Sequence, residues 1–103
     1  MKKIFATRKI PQSGLLKLES TGFEISVWEK DRPMTHRELV KEFSKHSYDA
    51  VLSLLTDEID KEVVDAMCAS GVQAISQFAV GFNNIDIDYA HEKGIVVMNT
   101  PAS

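Results

Sequence analysis

Cysteine is almost absent from this sequence, and its scarcity excludes a class of folds. The single cysteine, Cys68, rules out an intramolecular disulfide and with it the disulfide-built secreted domains. No apolar run approaches the ~18 residues of a membrane span. The opening Met1, Lys2 and Lys3 lead into only three apolar residues, which is not a secretory leader pattern. These absences predict a cytoplasmic protein with no membrane partner.

Positive charge, glycine-rich loops and metal-type spacings are also scarce. Twelve Lys and Arg against fifteen Asp and Glu give a net charge of −3. Proteins that bind nucleic acids carry a concentrated positive field, so no nucleic-acid partner is expected. The five glycines never approach the GxGxxG or GxxxxGK[ST] spacing, so this chain alone is not expected to bind NAD or ATP. The three histidines, His36, His46 and His91, are scattered along the chain, so we predict surface helix positions for them and no metal site. Cys68 is predicted to lie in the core.

What is present is a regular alternation of strands and helices in 103 residues, a length that fits one hydrophobic core. Short connections between alternating elements predict a parallel sheet with helices on both faces. The leading topology is a flavodoxin-like α/β fold with strand order 2-1-3-4-5, in which the alternating second strand lies at an edge. The predicted strands are Lys3–Ala6, Phe23–Trp28, Tyr48–Leu55, Val72–Val80 and Ile95–Met98.

Four helices are predicted between these strands. The first carries Leu15, Leu16 and Leu18, and the second begins at a capping box formed by Thr35 and Glu38. The third has an apolar stripe from Ile59 to Cys68, with Asp57 as its expected N-cap and Gly71 at its end; the fourth covers Ile85–Lys93 with Asp86 as its cap. A fifth helix is missing, so we expect an uncovered patch of sheet and a chain that is a piece of a longer protein.

The most unusual stretch is QFAVGFNNID, residues 77–86, in which a predicted buried strand breaks at Gly81. A glycine at the carboxyl end of a parallel strand lets a ligand approach the backbone, and the amides from Val80 to Phe82 can then form a nest of donors for an anion. The alternative is a plain turn in which Asn83 and Asn84 adopt left-handed or capping geometry. Spacing alone leaves both interpretations open.

Three separated motifs give this chain a resemblance to a known family. They are Ile75–Asp86, His91–Ile95 and Asn99–Pro101, with support from Thr7–Pro11 and Leu54–Asp57. Together they resemble the D-isomer-specific 2-hydroxyacid dehydrogenases, and most closely the glyoxylate/hydroxypyruvate reductase and D-lactate dehydrogenase branches. The resemblance implies that residues 1–103 are the N-terminal part of a substrate-binding domain, with the nucleotide-binding Rossmann domain outside the chain.

The same resemblance implies a substrate site. The backbone amides of Val80 and Gly81 would hold the substrate carboxylate, the loop at Leu55 and Thr56 would border the side chain of a 2-oxo acid, and Arg8 would face the same cleft. The expected substrates are glyoxylate, hydroxypyruvate or pyruvate. The reaction would be hydride transfer from NADH or NADPH in a homodimeric full-length enzyme.

No catalytic residue is expected in this chain, because the family's histidine, carboxylate and arginine fall beyond residue 103. The family more often has aspartate at the position of Asn83, so any role that depends on that charge is not carried over. The alternative function is a stand-alone, non-catalytic flavodoxin-like binding module.

Overall fold

A computed structural model describes residues 2–7, 22–30, 32–77 and 81–99 of the chain. The predicted helix at Leu15 to Leu18 lies outside these residues. The described strands are β1 (Lys3–Ala6), β2 (Glu24–Val27), β3 (Ala50–Ser53), β4 (Ala74–Gln77) and β5 (Val96–Asn99). The described helices are α1 (His36–Lys45), α2 (Lys61–Ser70) and α3 (Ile87–Glu92).

The five strands form one parallel sheet in the order β2-β1-β3-β4-β5, which confirms the predicted flavodoxin-like topology. Val51 of β3 pairs with Phe5 on one side and with Ile75 on the other. β2 lies at an edge with alternating exposed and half-buried residues, as its sequence pattern predicts. The strand order reverses between β1 and β3, where open parallel sheets place their ligand sites.

The main core lies between one face of the sheet and the three described helices. Phe43 of α1 meets Phe5 edge to face at 5.7 Å and Tyr48 at 5.8 Å, a favoured geometry for aromatic rings. The opposite face carries a smaller cluster of Ile4, Ala6 and Leu52. On the edge strand β5, Val96 and Met98 are 56% and 48% exposed, which agrees with the expected uncovered patch.

Most helix ends are formed by the capping residues predicted from the sequence. Thr35 and Glu38 form the predicted reciprocal capping box, and Gly71 ends α2 with a left-handed φ of 105°. Asp86 caps α3 by accepting from the amide of Tyr89, as predicted. None of the helices in the described ranges has the length and apolar content needed to cross a membrane.

The prediction of a buried Cys68 is wrong, because the residue is exposed. The buried positions of α2 include Val63, Met67 and Ser70, so its inner face is centred on these residues. Cys68 is one residue further round the helix from Met67 and faces solvent. A stripe read from sequence leaves the edges of a helix face undefined, and Cys68 lies beyond the edge.

Candidate functional site

Buried polar side chains collect at the carboxyl edge of the sheet, where β1, β3 and β4 end. Thr7, Asp57 and Gln77 are each fully buried. The hydroxyl of Thr7 donates to Asp57 Oδ2 at 2.5 Å, and the amide of Leu54 donates to the same oxygen at 2.8 Å. Burial of a carboxylate is costly unless hydrogen bonds compensate it. Asp57 therefore fixes the loop after β3 against the end of β1.

The predicted N-cap role of Asp57 is wrong. The cap of α2 is Asp60, whose side chain accepts from the amide of Val63 at 3.1 Å. Asp57 instead closes a turn, because its own amide donates to the carbonyl of Leu54 while its carboxylate accepts from the Leu54 amide. This turn also ends β3 at Ser53, earlier than the predicted Leu55.

A pair of side-chain amides joins the end of β4 to the residues that follow it. Gln77 Nε2 donates to Asn84 Oδ1 at 3.0 Å, and Asn84 Nδ2 donates back to Gln77 Oε1 at 2.8 Å. Gln77 Nε2 also donates to the carbonyl of Gly81 at 2.5 Å. The pair therefore holds the backbone at Gly81 to the end of its own strand.

Asn84 extends this connection to the loop after β3. Its Nδ2 lies 2.7 Å from the carbonyl oxygen of Asp57 and 3.1 Å from that of Leu54. Backbone bonds run beside it, since the amide of Ile59 donates to Asn84 O and Ile85 pairs with Ile59 in a parallel bridge. Asn84 does not have the capping role of the plain-turn alternative, because its side chain links two loops and the helix that follows is capped by Asp86.

Gly81 itself leaves room for a ligand. A Cβ placed on it meets no heavy atom of the described chain within 4 Å, and its φ is outside the left-handed range. Neither the Gly81 nor the Phe82 amide donates to another described residue. Free donors and open space are what an anion needs at a backbone site.

Two of the other four predicted site residues, Leu55 and Thr56, lie in the described part of the chain. Leu55 and Thr56 lie in the turn after β3, both exposed, and Leu55 is 54% exposed although it is a large apolar residue. The loop that carries them is the one to which Asn84 is bonded. Arg8 and Val80 lie outside the described residues.

The hydrogen-bonded pair of Gln77 and Asn84 is not among the features predicted from the sequence. The available signal for Gln77 was a polar side chain inside the predicted buried strand Val72–Val80, because a buried amide has to find partners. No local signal identified its partner, which is seven residues away around a turn.

Among the described histidines, His46 and His91 are exposed as predicted, whereas His36 is half-buried. His36 Nε2 lies 2.9 Å from the carboxylate of Asp60, which joins the starts of α1 and α2. Within the described ranges no three His, Cys, Asp or Glu side chains are grouped as metal ligands.

Unfolding measurements are expected to show a small pH dependence from His36. Its pKa is raised, first by the hydrogen bond to Asp60 and against partial burial, with further help from the charges of Asp60, Glu62 and Glu58. A raised pKa in the folded state stabilises the fold below the ordinary value of about 6.5, and this contribution is lost as the pH rises through the folded-state pKa.

The check is the urea-unfolding free energy measured between acidic and neutral pH for the wild type and for His36→Gln. The substitution should remove part of the loss of stability on going to neutral pH. Identical pH slopes for the two proteins would exclude His36 as a contributor.

The chain is similar to proteins of a known family in both sequence and fold. The sequence model of the family described as D-isomer specific 2-hydroxyacid dehydrogenase, catalytic domain, matches residues 4–103. The chain is 40% identical over 99 residues to a glyoxylate reductase of Korarchaeum cryptofilum, covering 96% of this chain and 28% of that protein.

Two solved structures share the fold. The D-lactate dehydrogenase of Escherichia coli has a TM-score of 0.75 and 29% identity, over 99% of this chain and 31% of that one. An NAD+-bound 3-phosphoglycerate dehydrogenase of Entamoeba histolytica has a TM-score of 0.77 and 27% identity, over 97% of this chain and 33% of that one. The chain thus spans about a third or less of the length of these proteins.

Proposed function

The chain belongs to the D-isomer-specific 2-hydroxyacid dehydrogenase family, and from this membership we propose that it binds the substrate carboxylate of an enzyme that reduces a small 2-oxo acid to a D-2-hydroxy acid. The observation that carries the proposal is the loop after β4. Its Gly81 and Phe82 amides have no described partner, and Gly81 carries no side chain to obstruct them. The loop is bonded to the turn after β3 at the carboxyl edge of the sheet.

In the proposed site, backbone N–H groups bind the carboxylate and side chains contact the rest of the substrate. The backbone N–H groups around Gly81, with Val80 contributing from outside the described residues, donate to the carboxylate oxygens. The exposed side chain of Leu55 and the adjacent Thr56 border the remainder of the 2-oxo acid, and the role proposed for Arg8, which lies outside the described residues, is to face the same cleft. The proposed substrates are glyoxylate, hydroxypyruvate or pyruvate, because the relatives include a glyoxylate reductase and a D-lactate dehydrogenase.

The residues of this chain do not fit a dinucleotide, since no glycine triplet follows any strand. NADH or NADPH would supply the hydride when bound, and we assign its site and the acid/base residues to a nucleotide-binding domain outside residues 1–103. The NAD+-bound relative of Entamoeba histolytica supports this cofactor class. A homodimer of the complete enzyme stays a prediction from the same family.

The test uses the protein together with whatever sequence its gene encodes on either side of this chain. NADH and NADPH oxidation is expected with at least one of glyoxylate, hydroxypyruvate and pyruvate. The matched control for pyruvate is pyruvamide, which keeps the keto group and removes the charge. Its kcat/KM is expected to be about fivefold lower, because hydrogen bonds to a charged group are worth ~1 kcal/mol more than neutral ones.

No oxidation with any of the three acids would contradict the enzymatic proposal and favour the non-catalytic module. Equal kcat/KM for pyruvate and pyruvamide would leave the dehydrogenase activity in place but contradict carboxylate binding by this loop.

A further inference from the structure

The amide pair of Gln77 and Asn84 has a well-defined orientation. Asn84 Nδ2 faces the carbonyl oxygens of Leu54 and Asp57, so an oxygen cannot occupy that position without repulsion. Gln77 Nε2 likewise faces the carbonyl oxygen of Gly81. Both amides are thus fixed by their surroundings, and neither can be flipped without losing hydrogen bonds.

The bond from Gln77 also sets the direction of a backbone donor. It draws the carbonyl of Gly81 towards the fully buried glutamine at the end of β4. The peptide bond between Gly81 and Phe82 is trans and planar, so the Phe82 N–H points to the side opposite that carbonyl. Gln77 therefore turns the Phe82 N–H away from the buried amides, leaving it available to a ligand.

Asn84 connects the Gly81 loop to the turn after β3. Its Nδ2 has two protons and three acceptors within 3.1 Å, so it shares them among Leu54 O, Asp57 O and Gln77 Oε1. The distance between the Gly81 loop and the turn bearing Leu55 and Thr56 therefore depends on this one side chain and on the backbone bonds beside it.

We propose that Gln77 and Asn84 are positioning residues that hold the Gly81 and Phe82 amides in the geometry that receives the carboxylate. This inference rests on the proposed function, and it adds two side chains that touch no substrate. Donors fixed before binding need no reorganisation when the anion arrives, so their contribution appears in substrate affinity. The hydride-transfer step is expected to depend on the pair much less.

The first test is Gln77→Met in the complete protein, which keeps an unbranched side chain and removes the donor to Gly81. The KM for the 2-oxo acid is expected to rise about three- to tenfold, the loss of roughly one hydrogen bond. The KM for NADH or NADPH should not change, and kcat should change less than the KM. The NMR order parameters of the Gly81 and Phe82 N–H groups should fall, since an unfixed loop moves more on the fast timescale.

The matched control is Ser53→Ala. Ser53 Oγ donates to the same glutamine at Oε1, 3.3 Å away, but has no bond to Gly81. Its removal from the same buried network is expected to leave the KM and the order parameters of the loop amides unchanged. Equal effects of Gln77→Met and Ser53→Ala would overturn the positioning role and indicate general loosening of the sheet.

A second variant, Gln77→Glu, remains informative if the methionine variant does not fold. A protonated glutamate can still donate to the Gly81 carbonyl, whereas an ionised one cannot, and burial favours the protonated form. The KM of Gln77→Glu should therefore rise with pH more steeply than that of the wild type. Parallel pH profiles would overturn the inference.

Failure of the inference is distinguishable from failure of the proposed function. Unchanged order parameters at Gly81 and Phe82 in Gln77→Met overturn the positioning role whether or not the protein turns over a 2-oxo acid. Lower order parameters at these amides, with the predicted rise in KM, support both. Lower order parameters with an unchanged KM show that the loop is positioned by the pair but overturn its link to the carboxylate.

Discussion

Replacement of Gly81 with valine is expected to raise the KM for the 2-oxo acid roughly 10- to 100-fold, with kcat changed much less. The reason is the loss of one charge-assisted hydrogen bond, worth about 1.5–3 kcal/mol. A valine side chain would occupy the open space at Gly81, next to amides that have no described partner. The measurement is steady-state kinetics with the 2-oxo acid varied at saturating NADH or NADPH.

Two features allow a rise in KM to be assigned to the substrate site rather than to unfolding. The φ of Gly81 is outside the left-handed range, and no described atom lies within 4 Å of an added Cβ, so the fold should tolerate the change. The melting temperature and the KM for the dinucleotide should therefore match the wild type. Gly81→Ala is the graded control, with a smaller rise in KM because one methyl group obstructs less. An unchanged KM in Gly81→Val would remove Gly81 from the site.

Replacement of Asp57 with serine is expected to cost about 2–4 kcal/mol of folding free energy, since a buried acceptor is lost and its two donors are left unsatisfied. Thr7 Oγ1 and the Leu54 amide both donate to this carboxylate, and Thr7 and Asp57 are completely buried. Serine is too short to reach both donors. Urea-unfolding curves give the difference directly.

Asp60→Ser is the matched control, because serine is a good N-cap and Asp60 is the residue that caps α2. Its expected cost is below about 1 kcal/mol, arising from the lost pairing with His36. If Asp57→Ser were as mild as Asp60→Ser, the structural role of the buried carboxylate would be refuted.

Local signals in the sequence were sufficient for much of the architecture. The capping box at Thr35, the left-handed Gly71 and the cap at Asp86 depend on residues within a few positions of one another. The central position of β3 follows from its nearly continuous apolar run, and the edge position of β2 from its alternation. Such patterns reflect local hydrogen bonding and burial, which a short window of sequence contains.

The candidate site was only partly predictable. Gly81 was identified because a glycine at the end of a buried strand is a backbone signal. The sequence predicts Asp57 as an N-cap and allows Asn84 a capping turn, because capping is the most frequent local use of these side chains. Their actual partners are distant in sequence, 50 residues for Asp57 and Thr7 and 27 for Asn84 and Asp57.

The sequence by itself determined the family, the parallel sheet and the position of the glycine loop, since these depend on periodicity, turn chemistry and motif order. Only the tertiary structure decided that Gln77 and Asn84 form one buried amide pair that links the Gly81 loop to the turn after β3. The physical reason is that a buried polar side chain bonds to whatever acceptors the packed strands bring near it. Those acceptors come together only when β3 and β4 are side by side.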